Sequence, residues 1–176
     1  IDHLVHSIND RDDPTLLYSP YIHGVDELLK RRFIKKPKDF TPRAFFIGGG
    51  GYSLPRAWAY DYKMSDLIVA EIDPEVTQVA HRNLWLKINT QEISIHHRDA
   101  RALLQSLPLE KSFDLIFGDA FHDISIPPHL VTREFHKEIA KRLVPDGVYA
   151  INVVDVGTNP LFLFSLIKTL KKDFPS

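Results

Sequence analysis

RAFFIGGGGYSLPR, residues 43–56, is the stretch that decides the fold. An apolar run stops at four consecutive glycines, Gly48–Gly51, and a polar segment able to form a helix follows them. Glycine adopts positive φ at little steric cost, so backbone amides can approach a ligand closely in front of a helix N-terminus. The stretch is therefore typical of the first strand–loop–helix unit of a nucleotide-binding α/β domain. A glycine loop that serves only packing has the same appearance.

The composition of the chain limits the kinds of partner and chemistry that can be expected. The 176 residues are 44% hydrophobic and 26% charged, which predicts one globular domain with a proper core. A net charge of −1 gives no reason to expect nucleic acid or an anionic membrane as a partner. The chain has no cysteine, which excludes disulfide and thiolate chemistry and fits a reducing, cytoplasmic compartment. It opens without Met and closes directly after a helical pattern, so we expect a piece of a longer protein.

Predicted strands and helices alternate along the chain. Helices are expected at about 20–33 and 54–60, after the caps Asp73, Asp99 and Thr132, and from Asn159 to about Lys172. Strands are expected at residues 2–8, 44–47, 66–70, 92–97, 113–118 and 148–154. The central strands are continuous apolar runs, which is typical of a parallel sheet covered on both faces. We therefore predict an α/β fold with a Rossmann-like, doubly wound, mostly parallel sheet and a small N-terminal β segment.

The helical periodicity also predicts which side chains face the core. For the first helix they are Ile22, Val25, Leu28, Leu29 and Phe33, and for the helix after Asp73 they are Val76, Val79, Ala80 and Leu84.

Acidic residues stand where the predicted strands end. Glu71, Asp99 and Asp119 follow three successive strands, and ligands of open parallel sheets bind beyond that edge. A lone aspartate there is often only a helix cap, a role that suits Asp73 and Asp99. Glu71 precedes the cap and lies 20 residues after Gly51, the separation at which an acid reaches a ribose hydroxyl.

Two kinds of nucleoside ligand fit a glycine loop. A dinucleotide requires GxGxxG, but position 53, where the third glycine would stand, is Ser53. An S-adenosylmethionine-type ligand has no pyrophosphate, and glycines let its aliphatic tail lie against the backbone. Glu71 would then hold the ribose and Asp99-Ala100 the adenine edge, so this second ligand fits better.

Five blocks carry a family resemblance: IGGGGYSLPR, VAEIDPEV, RDAR, FDLIFGDAF and LVTREFHKEIAKRLVPDGVYAIN. In this order they resemble the polyamine aminopropyltransferases, the spermidine synthase family. The chain looks most like a divergent branch often fused behind a membrane transporter domain. The resemblance implies an N-terminal substrate-side segment, residues 1–40, and a methyltransferase-like Rossmann domain, residues 41–176, whose sheet is incomplete at its C-terminal end.

The resemblance implies transfer of an aminopropyl group from decarboxylated S-adenosylmethionine to a polyamine, with Asp119 as catalytic base. The implied nucleoside contacts are Gly48, Gly49, Gly50, Gly51, Glu71, Ile72, Asp99 and Ala100. The implied substrate contacts are His6, Tyr21, Phe121, His122 and Asp123. No metal is expected, since the histidines lack ligand spacing. Family members are commonly dimers, and the branch implies a transmembrane domain elsewhere in the full-length protein, which would tether it to a membrane.

Two departures from the family pattern bear on the donor. The family's glycine loop usually reads GGGDG, with an aspartate that holds the amino group of the aminopropyl tail, whereas this chain has Gly51 there. The family's second loop aspartate is replaced by His122, with Asp123 one position later. A methyltransferase that uses ordinary S-adenosylmethionine and a non-catalytic sensing domain therefore remain alternatives.

Overall fold

The structure is a computed structural model that describes residues 7–87, 91–121, 125–155 and 159–174. The strands are β1 (Arg43–Ile47), β2 (Asp66–Ala70), β3 (Ile93–His96), β4 (Phe113–Gly118) and β5 (Leu143–Ile151). The helices are α1 (Pro20–Phe33), α2 (Ser53–Asp61), α3 (Pro74–Asn83), α4 (Ala100–Ser106), α5 (Arg133–Arg142) and α6 (Leu161–Leu170). A short 3₁₀ turn, Pro128–Leu130, precedes α5.

The five strands form one parallel sheet in the order β3-β2-β1-β4-β5. Phe46 of β1 is aligned with Val69 of β2 on one side and with Phe117 of β4 on the other. After β1, strands β2 and β3 are added on one side of it, and β4 and β5 are then added on its other side. The predicted doubly wound α/β fold is confirmed. Folds of this kind bind ligands where the strand order reverses, which here is between β1 and β4.

Side chains of each strand alternate between two buried layers. Phe46 and Leu67 face a cluster that includes Leu29 of α1 and Trp58 of α2. The residues next to them along each strand face a second cluster, which includes residues of α4 and α5. In this cluster Phe45 packs against Phe113. Both faces of the sheet are thus covered, which explains why the central strands are apolar throughout.

Three helices begin at the predicted caps, whereas the last helix was expected from Asn159 and begins at Leu161. The carboxylate of Asp73 accepts a hydrogen bond from the Glu75 N–H, and Pro74 occupies the first helical position. Asp99 caps α4 and the hydroxyl of Thr132 caps α5 in the same way. The first helix, with 14 residues, is the longest in the described ranges, and no helix there has the length and hydrophobicity needed to cross a bilayer.

The prediction of inward faces was wrong at two positions. Leu28 and Val79 are 52% and 53% exposed. Thr77 is buried in α3, where its hydroxyl lies 2.7 Å from the Tyr52 hydroxyl and 3.0 Å from His97 Nε2. A polar side chain with two partners is stable inside, so α3 turns Thr77 rather than Val79 towards the core.

Two predicted strands also differ from the structure. The fifth strand was expected at 148–154 but spans Leu143–Ile151, because the chain pairs with β4 directly after α5, with a register shift opposite Phe113–Leu115. The N-terminal strand at 2–8 falls mostly outside the described residues. Ser7 and Ile8 form no strand, because this segment lies against the glycine loop instead.

Candidate functional site

The predicted site residues gather at one edge of the sheet. In a parallel sheet all carboxyl ends point the same way, so residues that follow different strands become neighbours. The glycine loop follows β1, Glu71 follows β2, Asp99 lies beyond β3, and Asp119 follows β4. The sequence had placed these four at a common edge, and the topology agrees.

Packing inside the protein explains three of the four loop glycines. A Cβ on Gly48, which has a φ of +93°, would lie 2.7 Å from the carbonyl oxygen of Asp119. A Cβ on Gly49 would lie 2.5 Å from the Tyr52 ring, and one on Gly51 would lie 2.4 Å from Ser7 Cβ. Only the Gly50 position faces open space, with Ser7 Oγ nearest at 3.9 Å among the described residues. The side of the loop at Gly50 is therefore where a ligand can approach.

Backbone N–H groups of the glycine loop already donate hydrogen bonds to side chains of the same chain. Glu71 Oε2 accepts from the N–H of Gly49 at 2.8 Å and of Gly50 at 3.4 Å, and Oε1 accepts from the Asp73 N–H at 2.9 Å. The Gly51 N–H donates to Ser7 Oγ at 3.1 Å. Glu71, which is only 7% exposed, thus fastens the loop to the end of β2. Any contact it makes with a ribose must use its remaining lone pairs.

The carboxylate of Asp119 is held from two sides. Tyr21 donates its hydroxyl hydrogen to Oδ2 at 3.0 Å, and Asn152 donates from Nδ2 to Oδ1 at 2.8 Å. Burial raises the pKa of Asp119 above its ordinary value, although both hydrogen bonds act to lower it. Burial, and the neighbouring charge of Asp119, likewise raise the pKa of the Tyr21 hydroxyl. The group is therefore a fixed carboxylate with raised proton affinity, suited to bind an ammonium or accept its proton.

Tyr21 comes to this edge from the N-terminal helix. Helix α1 is fixed to α2 by Asp26, whose carboxylate accepts from Trp58 Nε1 at 2.8 Å in a buried site. Lys30 pairs with Asp26 at 2.9 Å and with Asp61 of α2 at 3.2 Å. These contacts set the position of α1, and α1 in turn sets the position of Tyr21.

The residues expected around an adenine have different surroundings. Asp99 Oδ1 accepts from the Ala102 N–H, and Oδ2 lies 2.7 Å from Nε2 of His129. Partial burial alone would raise the pKa of Asp99, but these two hydrogen bonds hold it below its ordinary value. The Ala100 side chain is buried in the core, which leaves its backbone to contact a ligand, whereas Ile72 is 68% exposed beside Glu71.

Some predicted residues cannot be placed. His6, His122 and Asp123 lie outside the described residues. Phe121 is half-buried in the loop after β4. Within the described part of the chain, no group of three or more acidic or histidine side chains has an arrangement that could hold a metal ion.

The structure adds residues that the sequence interpretation missed. Asn152 had a visible signal, because it is the polar residue in the apolar run that was expected as the fifth strand, although it follows β5 in the structure. Ser7 and Asn9 had none, since they lie more than 40 residues from the loop in sequence. Asn9 Nδ2 donates to the Gly51 carbonyl at 2.7 Å, and Asn9 Oδ1 accepts from the Ser53 hydroxyl at 2.6 Å.

No protein-family model matches the chain. A polyamine aminopropyltransferase of Vibrio vulnificus is 36% identical over 137 residues, which cover 77% of this chain and 44% of that protein. The chain thus spans less than half of the length of that relative.

Solved structures share the fold. A probable spermidine synthase from Corynebacterium glutamicum has a TM-score of 0.79 and 22% identity over 92% of this chain and 57% of its own. Human methyltransferase-like protein 13, in complex with SAH, has a TM-score of 0.71 and 22% identity over 88% of this chain and 73% of its own. At such identities the two structures show a common methyltransferase-like fold. The Vibrio sequence, at 36% identity, shows in addition that the matched part of this chain is homologous to a polyamine aminopropyltransferase.

Proposed function

We propose that the protein containing this chain transfers an aminopropyl group from decarboxylated S-adenosylmethionine to an amine, and that Asp119 is the base. The observation that carries the proposal is the Asp119 carboxylate, which Tyr21 and Asn152 fix by hydrogen bonds on a residue whose backbone packs against Gly48 of the glycine loop. The residue that carries the proposed base is thus in contact with the loop at which the nucleoside would lie. Homology to polyamine aminopropyltransferases supports a polyamine as the acceptor.

The reaction asks little of the protein beyond alignment and a base. The amine nitrogen attacks the aminopropyl carbon bonded to the sulfonium, and the C–N bond forms as the C–S bond breaks. The bonding electrons go to sulfur, which leaves 5′-methylthioadenosine as a neutral thioether. The proton lost by the amine passes to Asp119, whose raised pKa makes it a stronger acceptor than an ordinary carboxylate.

The surroundings of the loop favour a donor without a carboxylate. The amides of Gly49, Gly50 and Gly51 already donate to Glu71 and Ser7, so they are poorly placed to bind an anion. The buried Glu71 carboxylate beside them would repel the carboxylate of ordinary S-adenosylmethionine. In this proposal Glu71 and Ile72 contact the ribose side and Asp99-Ala100 the adenine side, while Tyr21 and Phe121 line the acceptor side.

The first test is turnover by the whole protein. With decarboxylated S-adenosylmethionine and a diamine, we expect release of 5′-methylthioadenosine, measured by chromatography. Asp119→Asn should reduce the rate by at least about 100-fold, the usual contribution of a general base, while nucleoside binding measured by calorimetry stays nearly unchanged. If Asp119→Asn retains full activity, Asp119 is not the base.

A methyltransferase is the second candidate, and Gly51 is the observation that favours it. Without a side chain at this position, the loop has no charged group of its own to select the ammonium of a decarboxylated tail. The same assay with S-adenosylmethionine separates the two, because methyl transfer releases S-adenosylhomocysteine instead. Nucleoside binding without either product would favour the sensing domain.

A further inference from the structure

The N-terminal strap, residues 7–9, covers the fourth glycine of the loop. Ser7 and Asn9 bond to the N–H and the carbonyl of Gly51, at 3.1 and 2.7 Å. Asn9 is 8% exposed and also binds Leu84 O and the Ser53 hydroxyl, so the strap is anchored in the protein rather than lying loosely on it. The strap is thus held in a fixed position against the glycine loop.

Ser7 occupies the space that a side chain at position 51 would need. A Cβ built on Gly51 lies 2.4 Å from Ser7 Cβ and 2.6 Å from Ser7 Oγ, distances that real Cβ atoms do not show. The same Oγ is the described atom nearest to the open side of the loop at Gly50. A hydroxyl from the strap therefore stands where the loop itself carries no side chain.

The chemistry of that hydroxyl selects what it can bind. A serine oxygen has two lone pairs and one hydrogen. The Gly51 N–H uses one lone pair, which leaves the other to accept from a ligand ammonium. A hydrogen bond to a charged group contributes more than one between neutral groups.

We propose that Ser7 is a specificity-determining residue that binds the terminal ammonium of the donor's aminopropyl tail. The strap, rather than the glycine loop, then decides which tail is accepted. This inference rests on the proposed function, because it assumes a donor with a cationic tail.

The experiment compares two ligands by calorimetry on the whole protein. 5′-Methylthioadenosine has the nucleoside but no tail amine, whereas decarboxylated S-adenosylmethionine has both. Ser7→Ala should weaken binding of the decarboxylated donor by about tenfold and leave 5′-methylthioadenosine unchanged. Thr15→Ala is the matched control, because it removes an N-terminal hydroxyl whose hydrogen bond within the described part of the chain is the local one to Asp13, and it should change neither affinity.

A second pair of variants tests the same idea in the opposite direction. Ser7→Gly removes the atoms that crowd position 51, and Ser7→Gly combined with Gly51→Asp places a carboxylate there. The double variant should bind the decarboxylated donor at least about tenfold more tightly than Ser7→Gly alone.

The outcomes separate this inference from the proposed function. Failure of the unaltered protein to bind 5′-methylthioadenosine would overturn the proposed nucleoside site itself. If 5′-methylthioadenosine binds, and Ser7→Ala changes the affinities for both ligands equally or changes neither, Ser7 does not bind the ammonium of the tail. A double variant no tighter than Ser7→Gly would contradict the inference as well.

Discussion

Asp119 shows how opposing effects set the chemistry of one side chain. Burial favours the neutral acid, while the hydrogen bonds from Asn152 and Tyr21 favour the carboxylate, and burial dominates, so the pKa is raised. Loss of either donor would leave burial less opposed. The pKa of Asp119 should then rise further.

Tyr21→Phe tests this balance. The proposed base must be ionised, so kcat/KM should increase as the pH rises through the pKa of Asp119. Since the variant lacks the hydroxyl that stabilises the carboxylate, the acid limb of the pH–rate profile should move to higher pH. Tyr18→Phe, at a 64% exposed tyrosine of the same segment, should leave the profile unchanged. A limb that stays in place or moves to lower pH would refute the role of the Tyr21–Asp119 hydrogen bond.

At the scale of elements, two helices at the site begin with chemically different caps. Asp99 caps α4 with a carboxylate, and Thr132 caps α5 with a hydroxyl. Either kind of cap satisfies an N–H that the helix itself cannot pair. Only the carboxylate titrates, so the two helices should differ in their response to acid.

Asp99→Ala and Thr132→Ala should each cost about 1 kcal/mol of the free energy of unfolding at neutral pH. The pKa of Asp99 is below its ordinary value of 3.8, so its ionised form stabilises the fold above that value. As the pH falls through the lowered pKa, this contribution is lost. The difference between wild type and Asp99→Ala should therefore shrink in acid, while that for Thr132→Ala stays constant. Denaturant titrations at several pH values measure the loss in free energy of unfolding for each variant. If the two losses depend on pH in the same way, the ionised Asp99 carboxylate is not what stabilises the start of α4.

At the scale of the whole molecule, the N-terminal helix and the sheet act as one unit. Asp26 in α1 accepts from the buried Trp58 indole and pairs with Lys30. This link joins α1 to Trp58 of α2, in the cluster that covers one face of the sheet, and includes no hydrogen bond to Asp119 among the described residues. It therefore affects the site only through the position of α1.

Asp26→Ala should lower the free energy of unfolding by about 1–3 kcal/mol, because it leaves the Trp58 N–H buried without its acceptor. Transfer activity should fall as well, since α1 carries Tyr21, although no residue of the site is altered. Glu27→Ala, at the neighbouring exposed position, should change neither quantity. Thermal unfolding and the product assay test the two effects, and full stability of Asp26→Ala would show that the link is unimportant.

Local patterns made much of the architecture predictable. The apolar runs of β1, β2 and β4 and the caps Asp73 and Asp99 depend on neighbouring residues, so they can be recognised without a fold. Periodicity was less reliable for α3, because the partners that keep Thr77 buried lie in other elements. The bounds of β5 were wrong for the same reason, since pairing with β4 sets them.

By itself the sequence determined the doubly wound parallel sheet and the edge to which Glu71, Asp99 and Asp119 belong, because the alternation of strands and helices and the strand ends can be recognised from neighbouring residues. Tertiary structure alone decided what the glycine loop does. Three of its glycines make room for Asp119, Tyr52 and Ser7, and its amides bond to Glu71 and Ser7. These contacts join residues far apart in sequence, and their geometry exists only once the chain has packed.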